Sequence, residues 1–164
     1  MSERTRERQM WASHLPSLWA ALLSTDGSVL EVGAGHMSTP MLRAFCERAE
    51  RPFTSLEEDE DWAATTGSTL ANYDFVLPRL APTRSWSLVF LDHSGGPRRA
   101  GYAELFKPFS DYIVVHDYCG ENVAAFAPLI SRYQARMVHF DSRFAPATLT
   151  LANVERPWWA IISA

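Results

Sequence analysis

The chain has 164 residues, 47% of them hydrophobic, and a formal net charge of −4. That length suits one domain with a buried core and leaves little for added lids, and the composition is that of a folded globular protein rather than a disordered one. The 15 basic residues are scattered, which speaks against a nucleic-acid partner, and Cys46 and Cys119 lie far apart without CxxC spacing, which suggests neither a zinc site nor a disulfide framework.

In chain order, residues 1–24 are expected to form an N-terminal helical segment and residues 25–164 an α/β core. A helix is expected over 3–23, charged at its start (Glu3, Arg4, Arg6, Glu7, Arg8) and apolar later (Trp11, Leu15, Leu18, Trp19, Leu22, Leu23), with Pro16 as a kink or break. Trp11, His14 and Trp19 are expected to pack that helix on the core rather than close as a lid. After the Asp26-Gly27 turn, Ser28–Val32 is a short apolar strand. Ser38 is placed to cap a helix over 39–50, with Pro40 tolerated in its first turn. A second strand, Phe53–Leu56, ends in the acidic cluster Glu57, Glu58, Asp59, Glu60 and Asp61, and a helix follows over 60–71. Phe75–Leu80 is expected as a third strand, weakened by Pro78. Trp86–Leu91 and Tyr112–His116 are the fourth and fifth strands, with a helix over 97–108 between them. A helix over 121–134 precedes β-favouring stretches at 136–141, 147–152 and 158–162, the last placing Trp158 and Trp159 in strand and core.

Strand and helix alternate and then strands crowd together. This calls for a single Rossmann-like α/β domain, a doubly wound, mainly parallel sheet with an antiparallel C-terminal element. Ligands of such sheets bind outside the carboxyl ends of the strands, here 31–38, 57–59, 81–83, 92–96 and 116–120. The first of these reads Glu-Val-Gly-Ala-Gly. A strand needs neither Gly33 nor Gly35, whereas a ligand approaching backbone N–H groups at a helix start would need both; a tight turn alone also accounts for them. Glu57, at the next strand end, is placed to accept hydrogen bonds from a ribose diol, or simply to favour a helix start. Together, a glycine turn and an acid some twenty residues on form a nucleoside-binding arrangement.

"LEVGAGHMS" resembles the first motif of class I S-adenosylmethionine-dependent methyltransferases, with Glu31 as its acid and Gly33 and Gly35 as its glycines; the third glycine often seen there is absent. "FTSLEED" is similar to the family's second-strand motif, with Glu57 as the ribose-binding acid. "WSLVFLDHSGGPRRAGYAELF" and "DYIVVHDYCG" resemble the fourth and fifth strands of small O-methyltransferase-like members. The resemblance spans residues 25–141 and implies S-adenosylmethionine as cofactor, held by Glu31, Gly33, Ala34, Gly35, Ser38, Glu57, Glu58 and Asp92. A dinucleotide dehydrogenase fits less well. Its fingerprint GxGxxG would put a third glycine at Ser38, and His36 and Met37 sit where a pyrophosphate needs close backbone approach.

Methyl transfer from a sulfonium requires a positioned acceptor, exclusion of water and sometimes a base. Asp92, His93, His116 and Asp117 are the expected catalytic residues, with His93 or His116 as base because imidazole titrates near neutral pH. Arg98 and Arg99 either orient an anionic acceptor or pair with nearby carboxylates. The resemblance to cation-dependent members puts Asp92 and Asp117 at two metal-ligand positions, but Tyr118 stands at the third and is a poor ligand for a hard cation. Turnover is therefore expected without a metal. The expected partner is a small-molecule acceptor methylated at oxygen, with a homodimer left open; a non-catalytic nucleoside-binding subunit is the alternative. No apolar run approaches the ~20 residues that span a bilayer, and no basic segment followed by an apolar one opens the chain, so no membrane partner is expected and the cytoplasm is the expected location.

Overall fold

A computed structural model describes residues 12–93, 95–134, 137–142 and 145–162. Its centre is a seven-stranded sheet: β1 Ser28–Val32, β2 Phe53–Glu57, β3 Thr69–Leu70, β4 Trp86–Leu91, β5 Ser110–Val115, β6 Val138–Asp141 and β7 Thr148–Ala152. The spatial order is β3-β2-β1-β4-β5-β7-β6. The first five strands run parallel, and β7 lies antiparallel to both β5 and β6. The expected doubly wound sheet with an antiparallel C-terminal element is what forms.

The pleat sorts side chains alternately to two faces. Leu30, Val32, Val89, Leu91, Ile113 and Val115 enter one apolar core, and Val29, Leu88, Phe90, Tyr112 and Val114 enter the other. All six residues of β4 are buried, as expected of a strand covered on both faces. The first core is closed by α4 (Tyr73–Leu80), α5 (Gly96–Phe106) and α6 (Glu121–Ile130) through Tyr73, Leu77, Phe106 and Phe126. The second is closed by α1 (Leu15–Leu23), α2 (Ser38–Arg48) and α7 (Trp158–Ile162) through Leu18, Leu22, Leu42, Trp158 and Trp159. A short α3 (Glu60–Thr66), capped by the Asp59 side chain accepting from the Trp62 N–H, leads from β2 to β3.

Several elements differ from expectation. Phe75–Leu80 belongs to a helix, not a strand: the Asn72 side chain accepts from the Phe75 N–H and caps it. The spacing of Tyr73, Leu77 and Leu80 turns these toward the core, leaving Phe75 61% exposed under the Arg79 guanidinium. The third strand is instead Thr69–Leu70, two exposed residues at the sheet edge. The helix expected over 60–71 stops at Thr66, because Gly67 takes the left-handed conformation that ends it. Trp158 and Trp159 begin a helix rather than a strand, with the Trp158 N–H donating to the Tyr112 hydroxyl. The helix expected over 3–23 is described only from Leu15; Pro16 sits in its first turn, where no backbone donor is missed, and Trp11 lies outside the described residues. The α2 helix begins at Ser38 itself, with Met37 at the cap position, so Ser38 does not cap it. The helix expected over 121–134 ends at Ile130.

Candidate functional site

The strand order reverses between β1 and β4, and there the carboxyl ends of three strands step past one another. Gly33 donates to the Leu56 carbonyl at 3.0 Å, Asp92 to the Val32 carbonyl at 2.8 Å and His116 to the Leu91 carbonyl at 3.1 Å. A cavity of about 220 Å³ opens at this point, lined by the loop 34–38 together with His14, Trp62, Asp92, His116 and Asp117. The two glycines of the loop have different reasons to be there. Gly33 has φ +89°, and a Cβ on it would lie 2.5 Å from the Asp92 carbonyl carbon and 2.7 Å from the His93 Cα. The crossing of β1 over the end of β4 therefore demands this glycine, with or without a ligand. Gly35 is not in the left-handed region and lines the cavity; a Cβ there would meet only the Ser38 hydroxyl, at 3.0 Å.

The loop is held from below by two acids. Glu31 is fully buried, and its Oε2 accepts from Ser55 Oγ at 2.6 Å and Thr39 Oγ1 at 2.8 Å. The Thr39 hydroxyl in turn accepts from the Gly35 N–H at 2.9 Å. Burial lifts the Glu31 pKa to about 7 even though neighbouring hydroxyls favour the ionised form. Glu57 accepts from the Ala34 N–H at 2.9 Å through Oε2, and from the N–H groups of Glu58 and Asp59 through Oε1. Each carboxylate oxygen has two lone pairs, so Oε2 retains an acceptor position beside the loop. Trp62 closes this side, its indole N–H donating to the Ala34 carbonyl at 2.6 Å and its ring 4.4 Å from that of His36.

On the opposite side His116 Nδ1 lies 2.9 Å from Asp92 Oδ1, and Nε2 lies 2.9 Å from Ser13 Oγ and 3.5 Å from Asp117 Oδ1. Burial works against charge on His116, but the hydrogen bond and charge of Asp92, aided by Asp117, outweigh it and raise its pKa. Arg99 reaches across beneath them, donating from Nε to the His93 carbonyl and from Nη1 to the His116 carbonyl, with Nη2 3.9 Å from Asp92 and 3.8 Å from Asp117. This guanidinium ties the ends of β4 and β5 together and offsets part of their carboxylate charge.

The structure gathers Ala34, Gly35, Ser38, Asp92, His116 and Asp117 around one cavity. His93 is turned away from it, its ring between Tyr73 and Tyr102 at 5.3 and 5.2 Å, so it is not placed to act as a base there. Glu58 is engaged elsewhere, in a two-pronged pair with Arg98 at 2.9 and 3.0 Å, and that partner holds its carboxyl below the usual range. Arg98 also reaches Asp74 and the Tyr102 hydroxyl; of the two roles open to Arg98, pairing with carboxylates is the one adopted. Tyr118 packs on Phe126 and Phe140, and residues 81–83 follow a helix rather than a strand end. Ser13, His14 and Trp62 complete the site's surroundings without having been expected there. His14 and Trp62 are aromatic residues at the edges of apolar stretches, a pattern shared with ordinary core packing.

No family model matches the chain, and no curated protein matches it in sequence. Solved structures do match its fold. MycE, a methyltransferase of the mycinamycin biosynthetic pathway crystallised with Mg and S-adenosylhomocysteine, is 15% identical with a TM-score of 0.58 over 89% of this chain and 47% of its own. A probable spermidine synthase from Corynebacterium glutamicum is 9% identical, also at 0.58, over 91% of this chain and 64% of its own. Human methyltransferase-like protein 13 with S-adenosylhomocysteine is 13% identical at 0.56, over 92% and 82% respectively. The chain thus spans about half the length of the first and under two thirds of the second. At such identities the likeness establishes the fold, that of the class I methyltransferases, which the spermidine synthase shares.

Proposed function

We propose that the cavity at the ends of β1, β4 and β5 binds S-adenosylmethionine and that the chain transfers its methyl group to a small-molecule acceptor, at oxygen. The observation that carries this is the convergence of the 34–38 loop and the His116–Asp92 pair on one cavity at the strand-order reversal; Glu57 is not in the cavity lining but holds the loop through the Ala34 N–H. Ala34, Gly35, Ser38 and Glu57 would hold the cofactor: the backbone of the loop faces the cavity, and the remaining lone pair of Glu57 Oε2 suits a ribose hydroxyl. When bound, S-adenosylmethionine supplies an already activated methyl on a positively charged sulfur.

What this chain's own residues contribute is position and a proton acceptor. Asp92 fixes the His116 ring through Nδ1, which leaves Nε2 to take a proton from an acceptor hydroxyl. The Ser13 hydroxyl now at 2.9 Å from Nε2 marks where such an oxygen would lie. Asp117, with positive φ, turns its carboxylate toward the same nitrogen and would stabilise the imidazolium formed. His14 and Trp62 wall the cavity where the acceptor would sit. No metal is needed for these steps. Among the described residues no helix is long and apolar enough to cross a membrane, Cys46 and Cys119 are unpaired, and a cytoplasmic location fits both.

A non-catalytic S-adenosylmethionine-binding subunit is the second reading, favoured by the Ser13 hydroxyl that already occupies His116 Nε2. Incubation with S-adenosylmethionine and a panel of hydroxylated acceptors, read as S-adenosylhomocysteine released, separates the two. Turnover on any acceptor supports the transferase; tight binding with no turnover supports the subunit; neither rejects both.

A further inference from the structure

His14 lies on the turn before α1, is 2% exposed, and faces the cavity with neither ring nitrogen hydrogen-bonded among the described residues. Buried polar atoms are nearly always paired, so two orphaned nitrogens on one ring ask for a ligand. The ring is held in place by Phe90 at 4.8 Å and by the edge of His116 at 4.4 Å. One donor atom from each of His14, Asp92 and His116 lies within 4.8 Å of the other two. Two imidazoles and one carboxylate form a donor set that suits Zn²⁺, Fe²⁺ or Co²⁺ and not Mg²⁺.

The distances bear on how an ion would sit. Donors ~2.1 Å from one ion are at most about 4.2 Å apart. The Asp92 and His116 atoms, 2.9 Å apart, already satisfy this. The three donor atoms lie within 4.8 Å of one another, so any pair beyond about 4.2 Å would be drawn in on binding. Charge permits it: Asp92 and Asp117 face one guanidinium, that of Arg99.

We propose that His14, Asp92 and His116 form a transition-metal site whose occupation switches off methyl transfer. The ion takes the carboxylate that orients His116 and ties the imidazole to itself, so the acceptor loses its base. The switch, though not the binding, rests on the function proposed above. The set is distinct from the Asp92, Asp117 and residue 118 positions that the resemblance to cation-dependent enzymes brings forward.

Zn²⁺ titrated into the full chain by calorimetry tests the site without reference to activity. One ion per chain is expected, bound at least tenfold more weakly by His14→Gln and by Asp92→Asn. The X-ray absorption spectrum of the zinc-loaded wild type is expected to show two imidazoles and no sulfur ligand, a readout that does not depend on either variant folding. Absence of stoichiometric binding, equal affinity in folded variants, or a sulfur ligand would overturn the site. If S-adenosylhomocysteine release is observed, Zn²⁺ is expected to suppress it at least tenfold and EDTA to restore it. Undiminished release with zinc bound at His14 would overturn the switch alone, and a chain that never turns over would instead reject the function while leaving the binding result intact.

Discussion

Asp92 and Arg99 do different work within 4 Å of each other. Asp92 is a positioning residue for His116, and Asp92→Asn removes the charge while keeping the shape. Turnover is expected to fall about 10²-fold or more, with binding of S-adenosylhomocysteine unchanged; equal loss of both would mean Asp92 acts on the cofactor instead. Arg99 holds two buried carbonyls and two carboxylates, so Arg99→Met is expected to cost about 3 kcal/mol of stability by urea unfolding. A loss under 1 kcal/mol would show that the strand ends need no tie. Glu31 gives a pH dependence. Its folded pKa of about 7 stands above its ordinary 4.5 because burial favours the protonated acid. Its contribution is therefore complete below pH 4.5 and lost as pH rises through 7, amounting to about 3 kcal/mol. His14, whose pKa burial lowers to about 3, works oppositely, its contribution present above 6.5 and lost toward acid. The test is thus the difference between wild type and Glu31→Gln: wild type should lose ground relative to the variant from pH 5 to 8, and parallel curves would refute it.

At the scale of elements, what the chain shows openly is what repeats. Buried stretches such as Trp86–Leu91 and Tyr112–Val115 are near-continuous apolar runs, and the "EVGAG" loop announces the first strand end. What it conceals is set by distant partners. The Thr69–Leu70 strand has no apolar pattern because both residues are exposed at the edge, and only pairing with Leu56 and Glu57 makes it a strand. Phe75–Leu80, rich in apolar residues, looks like a strand until the Asn72 cap fixes its helical phase. Likewise the His93 ring follows β4 in sequence but turns into the tyrosines, whereas His14, 78 residues before Asp92, arrives at the site because α1 packs on the sheet. The Gly33 requirement belongs to this scale too. Gly33→Val should destabilise the chain by about 3 kcal/mol or more, since it forces a branched residue to φ +89° against the Asp92–His93 backbone that follows β4. An unfolding midpoint within a few degrees of wild type would contradict that.

For the molecule as a whole, the sheet order brings residues from five separate stretches, at 14, 34–38, 62, 92 and 116–117, to one cavity. The fold carries the site without specifying the chemistry. The central claim is that this cavity is where S-adenosylmethionine binds, and Gly35 offers the cleanest handle on it. Its φ lies outside the left-handed region, and a Cβ there would meet only the Ser38 hydroxyl, at 3.0 Å, within the cavity lining. The most direct measurement is calorimetric titration of S-adenosylhomocysteine into wild type and Gly35→Val, with both shown to be folded. Binding of one equivalent by wild type, weakened at least tenfold in the variant, is the predicted result. No binding to wild type, or equal binding to both, would contradict the account.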